Sequence, residues 1–317
     1  MFLLGDNYIP EIITAKSKFG TEYLQPIIHT FLKEREMLEA VNDFVVEVDP
    51  DLLTFYNGDN FDFPYWFGRA RLLRVSVRKL SPFKKAFCRP NPHTGRNDVY
   101  IKGRYTIDCY RAYRKYRENL GGLPTYDLKY VVKLETGFEY EDYGDRMEEI
   151  YNTQKLVTYG AKDAYALLLL DEAIELFDGL DRKRKIAGCQ LDETLSNKKV
   201  IDTWLLRIRK KPLPTTKHHE KEPYKAALVL SPPPGIHENV GFFNAKAMYP
   251  NLIRIYNLSP EMISENGDIV VGPFKDGSVV KLKSQPEGLM PQAMRMFSEQ
   301  REYYREKKKE PGLTEKQ

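Results

Sequence analysis

At 317 residues the chain is long enough for about two domains, each burying its own core. Apolar residues at 42% and aromatics at 12% exclude an intrinsically disordered chain, and a net charge of +4 is too mild to argue a nucleic-acid partner by itself. Three well-separated cysteines, Cys88, Cys109 and Cys189, with no CxxC pair, exclude a disulfide framework and a zinc site.

MFLLGDNYIPEIITAK alternates and pauses as one or two short strands do. EREMLEAVNDFVVEV has helical spacing through Met37, Leu38, Val41, Phe44 and Val45, and DPDLLTFYNG reads as turn, strand, turn. This alternation predicts an α/β layer fold. Between Asp62 and Asp98 there is no acid but nine Lys or Arg, a run that serves either as a solvated face or as a phosphate-binding surface. DVYIKGRYTIDCY predicts a hairpin turning at Lys102-Gly103, and YRAYRKYREN a helix ended by Gly121-Gly122.

KLVTYGAKDAYALLLLDEAIELFDGL has the strongest helical pattern, with a glycine stop at Gly179, and a further helix is expected over residues 196–211, closed by Pro212 and Pro214. The apolar part of the first of these is broken by Asp171 and Glu172 and the N-terminus lacks a signal-peptide layout, so a cytoplasmic protein without a membrane partner is expected. A second basic stretch, LLRIRKKPLPTTKHHEKEPYK, occupies residues 205–225, and the domain boundary is expected just before the proline-rich LSPPPGIHENVG. GFFNAKAMYPNLIRIYN then predicts a buried strand feeding a helix, and EGLMPQAMRMFSEQREYYREKKKE a second helix.

Two constellations carry possible chemistry. NGDNFDFPY offers an Asn-Gly turn with Asp59 and Asp62 beside aromatic rings; carboxylates at a strand end hold divalent cations, and the rings stack on unpaired bases. By itself a turn acid capping the following helix explains the same residues. In TYGAKDA, Tyr159 and Asp163 stand four residues apart on one helix face, placed either to share a water or as an ordinary surface pair.

Taken together, Asn57, Phe61 and Asp62, then Tyr159 and Asp163, resemble the second and third exonuclease motifs of family B DNA polymerases, with GRYTIDCY and NLGGLPTYDLKYVV similar to segments between them. EPYKAALVLSPPPGIHENVGFFNAKAMYPNLIRIYNLSP resembles the linker and first palm motif, with an archaeal flavour. The resemblance implies a mixed α/β (α+β) architecture. A ribonuclease-H-like 3′-5′ exonuclease domain lacking its first motif strand would span residues 1–195, a linker 196–230, and the first part of a polymerase palm 231–317. It implies metal binding by Asp62 and Asp163, orientation of the attacking water by Tyr159, and strand holding by Asn57 and Phe61, with Mg2+ as cofactor. It implies nucleotide contacts by Tyr249 and Ala245, and DNA contacts by Tyr65, Arg69, Arg71, Tyr224 and Lys225.

The sequence departs from that family at several points. The Asp-x-Glu pair of the first exonuclease motif has no counterpart; Asp6 and Glu11 are the nearest acids. Asn244 occupies the position of the catalytic palm aspartate, the linker motif reads Tyr224-Lys225-Ala226-Ala227 instead of ending in glycine, and the fingers lysine and the Asp-Thr-Asp palm motif are not reached. The expectation is therefore a truncated, catalytically degenerate relative acting in replication or repair, a nucleoid-associated binder of single-stranded or primer-template DNA. The alternative is one subunit of a split polymerase completed by other chains. Residual nuclease activity from Asp62, Asp163 and a substitute acid such as Asp6 or Asp59 is a lesser expectation.

Overall fold

The opening strand, β1 (Phe2–Leu4), is followed by the hairpin of β2 (Ile13–Ser17) and β3 (Gly20–Leu24), and then pairs in parallel with β4 (His29–Phe31). The computed structural model describes residues 1–5, 8–118, 120–209, 230–274 and 277–309, and the chain divides into two compact units, Met1–Ile201 and Asp202–Gln317.

In the first unit, α1 (Glu34–Val48) buries Leu38, Asn42 and Val45 along one stripe, while Phe44, Val46 and Val48 stay exposed on its other faces. It packs with α2 (Asp62–Leu72), which buries Phe63, Trp66, Phe67 and Ala70. The polar exception, Asn42, is satisfied on both sides: Trp66 Nε1 donates to its Oδ1 (3.1 Å), and its Nδ2 donates to Ser76 O (3.4 Å). Between the two helices runs β5 (Leu52–Phe55), where the sequence placed a strand.

The expected hairpin over residues 98–110 does not form. β6 (Ala86–Asn91) and β7 (Arg96–Ile101) pair antiparallel with each other, while β8 (Tyr105–Asp108) pairs in parallel with β5, Phe55 opposite Asp108. The turn at Lys102-Gly103 is present, but Arg104 donates to Leu80 O (2.8 Å) and Pro50 O (2.6 Å), which carries the chain away from β7 and delivers Tyr105 N to Asp51 O (2.8 Å). The basic run from Arg69 to Arg96 is therefore distributed over α2, a turn, β6 and the start of β7.

α3 (Cys109–Arg117) starts directly from β8, and α4 (Leu128–Thr136) packs on α5 (Gln154–Ile174) around Val131, Val132, Ala166, Leu169 and Leu170, all essentially buried. The expected glycine stop at Gly179 is displaced. The break falls at Glu175, which adopts a left-handed φ of +50°, and Asp171 Oδ1 accepts Phe177 N (2.9 Å) to start α6 (Leu176–Ala187), inside which Gly179 lies in open space. α7 (Asn197–Arg209) matches the helix expected there. Each sheet among the described residues is a two-stranded pair.

In the second unit, residues 241–247 form no strand, and Phe242 and Phe243 stand 89% and 94% exposed. An extended segment becomes a strand only when neighbouring backbone groups take up its N–H and C=O groups, and no described strand lies beside this one. The expected helix does form, as α8 (Met248–Ile255). β9 (Ile269–Val271) and β10 (Val280–Leu282) form a hairpin, and α9 (Leu289–Lys307) closes the described chain.

The start of α9 is held by side chains of the segment after α8. Asn257 Oδ1 accepts Gly288 N (2.8 Å), Ser259 Oγ accepts Met290 N (3.2 Å) and Glu261 Oε1 accepts Leu289 N (2.6 Å), so the helix's free N–H groups are met without a local cap. A Cβ at Gly288 would lie 2.7 Å from Ser259 Cβ, which accounts for glycine there. Asn257 also donates to Lys283 O (2.7 Å) and Pro286 O (3.0 Å). Asn257→Ala leaves three backbone groups without partners, and the unit is expected to lose about 2–3 kcal/mol of stability. Urea unfolding followed by the fluorescence of Trp204, with Trp66→Phe removing the first unit's signal, measures the loss; an unchanged midpoint contradicts it.

Candidate functional site

The Asn57-Gly58 turn after β5 is locally determined. Asn57 takes a left-handed φ of +62°, and a Cβ on Gly58 would fall 2.4 Å from Phe55 Cβ, so the second position admits only glycine. The turn is tied to the end of β8 by Asp108, whose Oδ1 accepts both Asn57 N (2.9 Å) and Tyr110 N (2.9 Å), the latter capping α3. Asp108 is only 3% exposed, and its Oδ2 is buried with no hydrogen-bond partner among the described residues. Asp59, also buried, pairs with Arg111 Nη1 (2.9 Å) on α3. No acid caps α2: Phe63 N bonds Gly58 O (3.0 Å) and Tyr65 N bonds Phe61 O (3.1 Å), so the cap explanation for Asp59 and Asp62 does not apply.

Asp62, the first residue of α2, is half-buried, and its carboxyl is pushed above the usual range by burial first, with the charges of Asp108 and Asp163 adding to it. Asp108 is raised in the same way, by burial and then by Asp59, against the backbone donors that favour its charge. Asp163, on α5, accepts Tyr140 Oη–H at Oδ1 (2.7 Å). Tyr159, one turn earlier, receives Lys129 Nζ (3.4 Å), which is itself paired with Asp142 (2.7 Å) and lies 4.9 Å from the Tyr159 ring centre. Burial and then the Asp163 charge raise the Tyr159 phenol, so it stays protonated near neutrality.

Asp62 and Asp163, far apart in sequence, are thus brought within electrostatic reach of each other. They do not converge with a third ligand: among the described residues no group of three acidic, His or Cys side chains is placed to hold an ion. One oxygen of Asp163 is occupied by a phenol and one of Asp108 by backbone donors. This donor set does not fit a two-metal centre, which needs several free carboxylates to hold two dications about 4 Å apart.

Phe61 and Tyr65 present their rings to solvent, 70% and 61% exposed, beside Asp62. Arg69 is engaged by both carboxylate oxygens of Glu34, whose pKa that contact lowers, so Arg69 reaches a phosphate only if this pair opens. Arg71 is exposed on the rim of a groove of about 660 Å³ that also includes Phe67 and Phe87. In the second unit Asn244 and Ala245 are exposed ahead of α8, and Tyr249 is exposed in its first turn. Tyr224, Lys225 and Asp6 lie outside the described residues. Sequence reasoning missed Asp108, Arg111, Tyr140 and Lys129; only Asp108 carried a signal, an acid at the junction of a strand and a helix.

Sequence models of known families match this chain in two places. "DNA polymerase family B, exonuclease domain" matches residues 5–131, and "DNA polymerase family B" matches residues 176–316. The DNA-directed DNA polymerase of Escherichia phage RB69 is 27% identical over 267 residues, covering 81% of this chain and 29% of the phage protein. A DNA polymerase of Thermococcus litoralis is 29% identical over 262 residues, covering 76% of this chain and 15% of the relative. Among solved structures, the family B DNA polymerase of Pyrobaculum calidifontis superposes with a TM-score of 0.61 at 26% identity, over 96% of this chain and 41% of that one. The chain therefore spans less than half the length of the relatives it matches. Exonuclease and polymerase domains of this family generally use divalent metals.

A carboxyl whose folded pKa stands above its unfolded one holds its proton more tightly when folded. The folded state therefore loses stability as pH rises from the ordinary carboxylate value through the raised one. For Asp62 this predicts that Asp62→Asn melts a few degrees higher than the parent at pH 7 and that the gap closes toward pH 4. Thermal melts of both proteins across that range check it; a gap that does not depend on pH contradicts it.

Proposed function

The chain belongs to DNA polymerase family B, and from that premise we propose that it is a DNA-binding protein of replication or repair that neither polymerises nor proofreads by itself. The observation that carries the binding part is the presentation of Phe61 and Tyr65 to solvent beside Asn57 and Asp62, an aromatic platform on which the bases of an unpaired strand stack. Arg71, Tyr224 and Lys225 add phosphate and base contacts in this reading, and Tyr249 and Ala245 retain the outline of a nucleotide site.

Two features support the absence of turnover. Asn244 has nearly the shape of an aspartate but no charge to bridge magnesium ions against a triphosphate. Loss of one such ligand removes several kcal/mol of transition-state stabilisation, on the order of a thousandfold in rate. In the exonuclease-like site, Asp62 and Asp163 stand without a third ligand among the described residues. No described helix is long and apolar enough to cross a membrane.

A second reading, one subunit of a split DNA-directed DNA polymerase with 3′-5′ exonuclease, is favoured by the exposure of Phe242 and Phe243 immediately before Asn244. Large apolar side chains in that position suit burial against further polypeptide.

The test is fluorescence anisotropy with single-stranded and primer-template DNA over a salt series, with magnesium-dependent digestion and extension followed in the same samples. Binding that weakens steeply with salt, without turnover, is expected. Magnesium-dependent digestion abolished by Asp62→Ala would overturn the inactive reading.

A further inference from the structure

Two adjoining cavities on the first unit, of about 430 and 500 Å³, share the walls Arg96, Arg111, Arg114 and Tyr126. The first also reaches Asn57 and so is continuous with the loop that carries Phe61 and Asp62. These arginines come from two elements: Arg96 opens β7, while Arg111 and Arg114 sit one turn apart on α3.

Their charge is unevenly spent. Arg111 is paired with Asp59 (2.9 Å), but among the described residues neither Arg96 nor Arg114 has a carboxylate partner. Arg114 is nonetheless held in place: its guanidinium carbon lies 5.6 Å from the Tyr110 ring centre and 5.1 Å from that of Tyr126, and its Nη1 donates to Tyr110 Oη (3.2 Å). A guanidinium packed on two rings keeps its remaining donors pointed outward with little entropy left to lose on binding an anion. The acids on the walls are engaged, Asp127 Oδ2 by Thr125 (2.6 Å) and Glu118 by Lys115 (2.7 Å). Further along, Arg117 Nε is buried with no hydrogen-bond partner among the described residues.

We propose that this cleft grips the phosphodiester groups of a single strand whose end lies at the Asn57 loop, and that it does so without a metal ion. The proposal rests on the DNA-binding reading above and adds the place and chemistry of the grip: guanidinium groups neutralise the strand's phosphates directly. Phosphate is the shared chemistry of a DNA strand and a free nucleotide, and the strand is favoured because two joined cavities have room for successive phosphates.

The test is binding of a fluorescent thymidine oligonucleotide over a salt series, in EDTA and in magnesium, to the parent chain, Arg96→Ala/Arg114→Ala and Arg96→Lys/Arg114→Lys. The alanine pair is expected to bind roughly tenfold or more weakly at low salt, with a log K against log salt slope shallower by about 1.4, the loss of two single-strand phosphate contacts. The lysine pair should keep the parent slope, which separates lost charge from a disturbed fold. Parent-like affinity and slope in the alanine pair would overturn the cleft and leave DNA binding standing elsewhere on the chain. Binding that EDTA removes overturns the metal-free grip, and thymidine monophosphate competing more tightly than the oligonucleotide overturns the strand in favour of a nucleotide. Absence of DNA binding by the parent chain overturns the broader reading together with this one.

Discussion

One buried carboxylate organises the first unit's functional end. Asp108 closes β8, and by accepting from Asn57 N and Tyr110 N it ties the loop after one strand of a parallel pair to the first turn of the helix after the other. Charge-assisted bonds from backbone N–H groups are among the stronger ones available in a low-dielectric interior. They oblige the Asn57-Gly58 turn to keep its left-handed conformation and so fix where Phe61 and Asp62 emerge. The same carboxylate is a buried negative charge, and through it the position of one structural group is felt in the protonation of its neighbour Asp62.

That dual role bears on chemistry. A cluster of acids in a polymerase-type exonuclease is held together by the cations it binds; the repulsion between carboxylates is the reason the ions stay. In this chain the acids near Asp62 are met by protein groups, Arg111 on Asp59 and Tyr140 on Asp163, and the carboxyls of Asp62 and Asp108 have raised pKa values. The exposed aromatic rings need no such ions, since stacking on a base depends only on a free π-face.

How much was legible in the sequence varied with the range of the forces involved. α1 and α7 fall where their helices were expected, because the pattern of apolar residues and the backbone bonds of a helix are both local. The pairing of β7 was misread because Lys102-Gly103 does make a turn; what sends β8 to β5 is Arg104 reaching Leu80 and Pro50, carbonyls distant in sequence. Phe242 and Phe243 read as a buried strand from composition, but burial requires a partner surface, which composition does not supply. The functional motifs were visible as residue types in order, whereas the partners that modify them, Glu34 on Arg69 and Lys129 on Tyr159, left no mark.

The sequence by itself determined the family, the helices α1 and α3, the Asn-Gly turn, and the identity of the residue at position 244, because each is written in adjacent residues or in motifs of fixed spacing. Only the tertiary structure decided which strands pair, that Asp62, Asp108 and Asp163 feel one another's charge, that Arg69 is already engaged, and that Arg96 and Arg114 face one cleft. Coulomb interactions and hydrogen bonds act through space between groups tens of residues apart along the chain, and nothing local records which of those groups the fold will bring together.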